Sequence, residues 1–176
     1  MSKKYRLAFF GIFFGIFVLA YTVGSTYNMS NQEKENFLGQ FQSATQGLGA
    51  IGIFIHNTSV ALPMFVPAFG AAWGAYAGWS TGAAFGALLS SNPFLPKIPA
   101  IAYLLMTPFG AMEVVAYSIG MSRSFLLIRS IIKRSLKKEL LATGIEVGIV
   151  VAILLVAGFV ENSIIAAHQT HVSLSR

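Results

Sequence analysis

Five side chains capable of chemistry lie inside otherwise apolar stretches of this chain. His56 and Asn57 interrupt one such stretch, Glu113 a second and Glu146 a third, and Glu161 closes the third. Ionisable groups at membrane depth are costly and mark functional sites by default. An imidazole, a carboxamide and carboxylates gathered away from water would hold a proton or a cation. The same groups bonded to one another would instead clamp helices together. Both readings are open from the sequence. The clamp is favoured, because a pathway needs polar residues leading in from each side and few are present. Farther on, His168 and His171 stand three residues apart and would offer two imidazoles to a metal. Two ligands without a neighbouring Asp or Cys do not make a site, so a histidine pair in the tail is the simpler reading. No Ser-His-carboxylate set, HExxH, phosphate-binding loop or redox motif occurs. The absence of Cys removes disulfides, thiolate metal sites and cysteine catalysis. The expectation is a non-enzymatic chain that uses no cofactor.

These groups need a frame, and composition says which kind. Of 176 residues, 55% are hydrophobic and 10% charged, against roughly 25% charged in a soluble globular protein. Mean hydropathy is +0.68. The six acids are all Glu, and the 12 Lys and Arg fall between long apolar runs. The chain reads as an all-α integral membrane protein, a single membrane domain over residues 1–176.

A crossing needs about 20 helical residues. Leu7 to Ser25 gives 19 and follows Lys3, Lys4 and Arg6. It reads as an anchor, since a secretory signal core runs to about 7–15 residues and is followed by a small-residue cleavage site. From Asn36 to Pro96 no residue carries a formal charge, and the apolar part, Leu48 to Leu89, spans 42 residues. That length predicts two helices joined by a turn within Gly70 to Ser80. Further blocks run from Ile98 to Ser122 and from Leu140 to Val160. The expected spans are therefore near 7–25, 48–70, 74–90, 98–122 and 140–160. With the N-terminus cytoplasmic and the C-terminus outside, nine of the 12 cations fall on the inner side, as the positive-inside rule requires. The resulting location is the cell membrane, multi-pass.

At ~1.5 Å rise per residue, His56, Asn57 and Glu113 come to similar depth, and Glu146 lies near enough in depth to share partners with Glu113. Glu161 falls at the outer end of the last span. Gly70, Gly74, Gly78, Gly82 and Gly86 form a four-residue ladder, a spacing that Gly11 and Gly15 repeat. Such ladders let helices approach closely in lipid. A continuous helix would rotate the ladder by about 40° per step, so it is expected to divide between two helices. Pro63 and Pro67 should bend the second span and free carbonyls there.

The segment 123–138 predicts an amphipathic basic cytoplasmic helix. Arg129, Lys133, Arg134, Lys137 and Lys138 cover one half, and Phe125, Ile128, Ile131, Ile132 and Leu136 most of the other. Such a helix lies in the headgroup layer with its cations toward anionic lipid. A nucleic-acid surface would interleave aromatics with the cations, so no nucleic-acid partner is expected. In the outer loop, Ser30 and Glu33 have capping-box spacing, which fits either a short interfacial helix or an ordinary polar loop.

Four stretches, in order, resemble the stage II sporulation protein M family of polytopic membrane proteins. They are Ile53 to Leu62 (I-F-I-H-N-T-S-V-A-L), Trp79 to Leu88 (W-S-T-G-A-A-F-G-A-L), Pro108 to Ala116 (P-F-G-A-M-E-V-V-A) and Val156 to Ile165 (V-A-G-F-V-E-N-S-I-I). The similarity covers about residues 49–165. It implies a helical membrane protein whose shared core contains Asn57, Gly110, Glu113 and Glu161, acting as an anchor or scaffold in a membrane assembly. His56 stands where the family has the first Asn of a pair, Thr81 stands in an Asn place, and Phe109 replaces a His. The last departure weakens a His-Glu chemistry unless His56 supplies the imidazole. The partners expected are other membrane subunits or further copies of the chain.

Overall fold

A computed structural model describes residues 3–45, 47–91 and 98–174. These contain no strand. They form helices α1 (Lys3–Ser25), α2 (Asn31–Thr45), α3 (Ala50–Ala61), α4 (Phe69–Ser91), α5 (Ala100–Met106), α6 (Pro108–Ile132) and α7 (Leu136–Leu174), with a 3-10 turn at Leu62–Phe65. Three of them, within Lys4–Ser25, Pro108–Ile132 and Glu139–Ala167, are long and apolar enough to cross a membrane, and Ala50–Phe65 is a shorter apolar helix.

The breaks between elements follow from local chemistry. Two prolines end α3. Pro63 enters the 3-10 turn, and Val66, before Pro67, is extended at ψ 125°, as the residue before a proline prefers. Ala68 then adopts a left-handed φ of 67° and α4 begins. The reversal thus lies at residues 62–68. The expected turn within Gly70 to Ser80, and a second span reaching residue 70, are corrected: proline stops a helix where glycine merely tolerates a bend. Side-chain donors reach two carbonyls at the break. Trp73 Nε1 donates to the Val60 carbonyl at 2.9 Å and Ser124 Oγ to that of Val66 at 2.6 Å.

α4 is consequently one unbroken helix of 23 residues, which carries the whole glycine ladder. The expected division of the ladder between two helices does not occur. The ladder rotates, and its neighbours change to match. A β-carbon added at Gly70 would strike the Met64 backbone, at Gly74 the Met121 side chain, and at Gly78, Gly82 and Gly86 the carbonyls of Phe17, Tyr21 and Ser25. Reciprocally, Gly24 rests against the Trp79 carbonyl. Helices α1 and α4 therefore run parallel with their backbones touching, a close approach that only glycine permits. Gly11 and Gly15 meet nothing within 4 Å, so they take no part in this packing.

The expected single span at 98–122 is also divided. Thr107 is extended and Pro108 starts α6 at its first position, so α5 and α6 meet at a corner. α6 then continues to Ile132, and the separate basic helix at 123–138 is not formed. Its first half belongs to α6, and a turn at residues 133–135, with Arg134 left-handed at φ 52°, leads into α7. α6 is the central helix and packs on α1, α4 and α7. Phe17, Tyr21, Met64, Val114, Met121, Val150 and Leu154, all at most 2% exposed, fill the interior. α3 runs alongside α6 in the same direction, with Asn57 against Glu113 and Met64 against Gly120, whereas α1, α4 and α7 run the other way.

Candidate functional site

Two polar groups lie inside this bundle. The first joins α3 to α6. Asn57, 8% exposed, occupies the face of α3 that also carries buried Ile53 and Ala61, and its Nδ2 donates to Glu113 Oε1 at 2.6 Å. Tyr117, one turn along α6 from Glu113, is buried, and its ring meets Phe17 at 5.5 Å. Its phenol lies within electrostatic reach of both Glu113 and Glu161, which also reach each other. No cationic side chain bonds to Glu113 among the described residues. His56 is one residue from Asn57, so it points about 100° away around the helix. Its imidazole makes no hydrogen bond among the described residues, and only its backbone carbonyl accepts, from Ser59. The structure therefore brings Asn57 and Glu113 together, with Glu161 nearby, and leaves His56 outside the hydrogen-bonded pair. His56 therefore does not supply an imidazole to Glu113.

The second group sits at the end of the bundle where α1 begins. Arg6 donates from Nε to Glu146 Oε1 at 2.7 Å and from Nη2 to Oε2 at 2.6 Å. Its Nη1 donates to Ser122 Oγ at 2.5 Å. Arg123 grips the same carboxylate from the other side, through Nε to Oε2 at 2.7 Å and through Nη2 to Oε1. Its Nη1 reaches Glu139 Oε2 at 2.9 Å. The Arg123 side chain is only 3% exposed and that of Glu146 16%. Two guanidiniums and two carboxylates thus bind three helices with no net charge. Two-pronged guanidinium–carboxylate bonds are among the strongest in proteins, and a buried charge persists only when so compensated.

Glu146 does not share partners with Glu113, as its depth had suggested. Two carboxylates repel, whereas Arg6 and Arg123 offer opposite charge at the depth of Glu146. Both arginines were expected only to set orientation. The missed signal was electrostatic: an acid a turn and a half into an apolar run demands a base at the same level, and Arg6 directly precedes the first such run.

The other basic residues divide. Arg129 lies over the Tyr5 ring at 5.9 Å from its centre. Lys133, Arg134 and Lys137 are exposed around the α6–α7 turn. The side chains of Lys138, His168 and His171 lie outside the described residues. No group of three or more His, Cys, Asp or Glu able to hold a metal occurs among the described residues. No family model matches this chain, and the searches of curated proteins and of solved structures found nothing similar to it.

Proposed function

We propose that this chain is a multi-pass protein of the cell membrane that acts as a non-enzymatic scaffold or accessory subunit of a larger membrane complex. One observation carries the reading: two of the acids inside the bundle, Glu113 and Glu146, are bonded by side chains of neighbouring helices. Glu146 is held by two arginines, and Glu113 by Asn57. Groups so engaged fix a shape that partners can dock on.

The topology in this proposal is five crossings, by α1, α3 with its 3-10 turn, α4, α5–α6 and α7, with a cytoplasmic N-terminus. Alternating helix directions support it, as does the clustering of Lys4, Arg6, Arg129, Lys133, Arg134 and Lys137 at one end. The proposal extends to membership in the stage II sporulation protein M family. Asn57, Glu113 and Glu161, which the resemblance singles out, gather in one region of the bundle. The deciding experiment is purification from native membranes in mild detergent followed by intact-complex mass spectrometry. Stable co-purifying membrane subunits, or copies of the chain, are the expected result. A lone monomer sinks the scaffold role.

A second reading, a small transporter or channel, rests on the region around Glu113. There the charge of a second carboxyl, Glu161, acts on the buried Glu113, and Tyr117 lies one turn along α6. Ion flux in proteoliposomes that Glu113→Gln abolishes, with folding preserved, would establish it.

A further inference from the structure

The turn between α6 and α7 presents two kinds of surface side by side. Ile132 is 76% and Leu141 77% exposed, and Ile131, Leu136 and Leu140 are also exposed. Between them Lys133, Arg134 and Lys137 are exposed, and none pairs with an acid among the described residues. The acids nearest in sequence are committed elsewhere: Glu139 is bonded by Arg123, and Glu146 by Arg123 and Arg6. The internal network thus consumes the local negative charge and leaves the tip strongly cationic.

The tip is also fixed in shape. The Arg134 N–H donates to the Ile131 carbonyl at 2.9 Å, and the Ser135 N–H to that of Ser130 at 2.8 Å. The first turn of the 39-residue α7 opens here, adding the positive end of a helix dipole. The contact of Tyr5 with Arg129 brings the start of α1, with exposed Lys4, to the same end.

We infer that the α6–α7 tip is a binding site for an anionic phospholipid, its phosphate held among Lys133, Arg134 and Lys137 and its acyl chain lying along Ile132, Leu136 and Leu140. Charge complementarity selects this occupant. Uncompensated cations beside exposed aliphatic side chains match a lipid, which joins a phosphate to a hydrocarbon chain. An acidic protein would match the cations and leave the aliphatic side chains uncovered. The inference rests on the proposed topology in placing this end at the cytoplasmic headgroup layer. Accessibility of a tag at the N-terminus tests that placement separately.

The test is native mass spectrometry of the full-length protein in mild detergent, supplied with phosphatidylglycerol or phosphatidylcholine. Preferential retention of phosphatidylglycerol is expected. The preference should fall about fivefold for each cation replaced in the series Lys133→Gln, Arg134→Gln and Lys137→Gln, and stay unchanged in Lys34→Gln on α2. Equal retention of the two lipids, or an unaltered preference in the triple variant, overturns the site. So does an acidic protein that stays bound when phosphatidylglycerol is in excess. Should the triple variant fail to fold, a salt series on the unaltered protein decides. Selectivity that does not weaken with ionic strength refutes a charge-based site.

Discussion

Replacing Glu146 by Gln is the sharpest perturbation of this fold. The substitution keeps the shape of the side chain, but it removes the charge that Arg6 and Arg123 share and turns one acceptor into a donor facing a guanidinium. Four charge-assisted contacts are weakened at once. Stripping one partner from a buried ion pair costs roughly 3–5 kcal/mol, chiefly because the remaining charge stays buried. Two features place the effect at the lower end. Arg123 keeps Glu139 at 2.9 Å, and the Arg6 side chain is 20% exposed and can turn toward water. About 3 kcal/mol, at roughly 2–4 °C per kcal/mol for a chain of this size, corresponds to a fall in Tm of about 6–12 °C. Thermal unfolding in mild detergent measures it. Arg6→Met should be milder, since Glu146 retains Arg123. The double variant should fall short of the sum of the two by about 1 kcal/mol or more, as groups in one network do. A Tm drop below about 2 °C for Glu146→Gln, or strict additivity, refutes the shared-carboxylate picture.

The other expectations concern backbone and caps. Gly82→Ala, which drives a methyl into the Tyr21 carbonyl, should cost about 2 kcal/mol or more. Gly11→Ala meets nothing and should be neutral or stabilising by up to ~1 kcal/mol, both read as Tm. Ala68→Gly should stabilise by about 0.5–1 kcal/mol, because a left-handed Ala costs roughly 1–2 kcal/mol and glycine gives back part of this through the unfolded chain; a lower Tm overturns it. In α2 the Ser30 hydroxyl and N–H bond Glu33 and hold its carboxyl below the ordinary value. A lowered folded-state value means that the cap stabilises α2 above the usual carboxylate range and is lost as pH falls through it. Amide protection in α2, corrected for the intrinsic exchange rate, should therefore fall on acidification, and Ser30→Ala, which keeps only the backbone N–H bond to Glu33, should weaken that dependence.

Much of this was legible in the residues, and the rest was hidden for definable reasons. Hydropathy located α1, α7 and the first part of α6, and the capping-box spacing of Ser30 and Glu33, which fitted a helix or a loop alike, lies at the start of α2. Helix rise converts sequence position into height, and it set Asn57 and Glu113 at similar depth without saying whether they touch. Rotation about the helix axis is harder to obtain. It removed His56 from the polar pair and turned one glycine ladder from α6 toward α1. The α3–α4 turn was misplaced because Gly and Ala keep a segment apolar without revealing whether it bends, while Pro63 and Pro67 held the answer in their missing N–H groups. The basic segment was divided by the turn at residues 133–135, and Arg123 at its start bonds acids inside the bundle. A wheel that counts charges treats every cation as solvent-facing.

The bond between Arg6 and Glu146 joins residues 140 positions apart. On a ribosome adding about 5–20 residues per second, Arg6 waits on the order of ten seconds for its counter-charge. Arg123 likewise stays uncompensated until the start of α7 is made. Glu146 lies on α7, so neutralisation waits until the helix that follows α6 has been made. A chain halted before Glu139 carries the guanidiniums of Arg6 and Arg123 without the carboxylates that bond them. The same carboxylate that locks three helices together therefore reports that all of them have arrived.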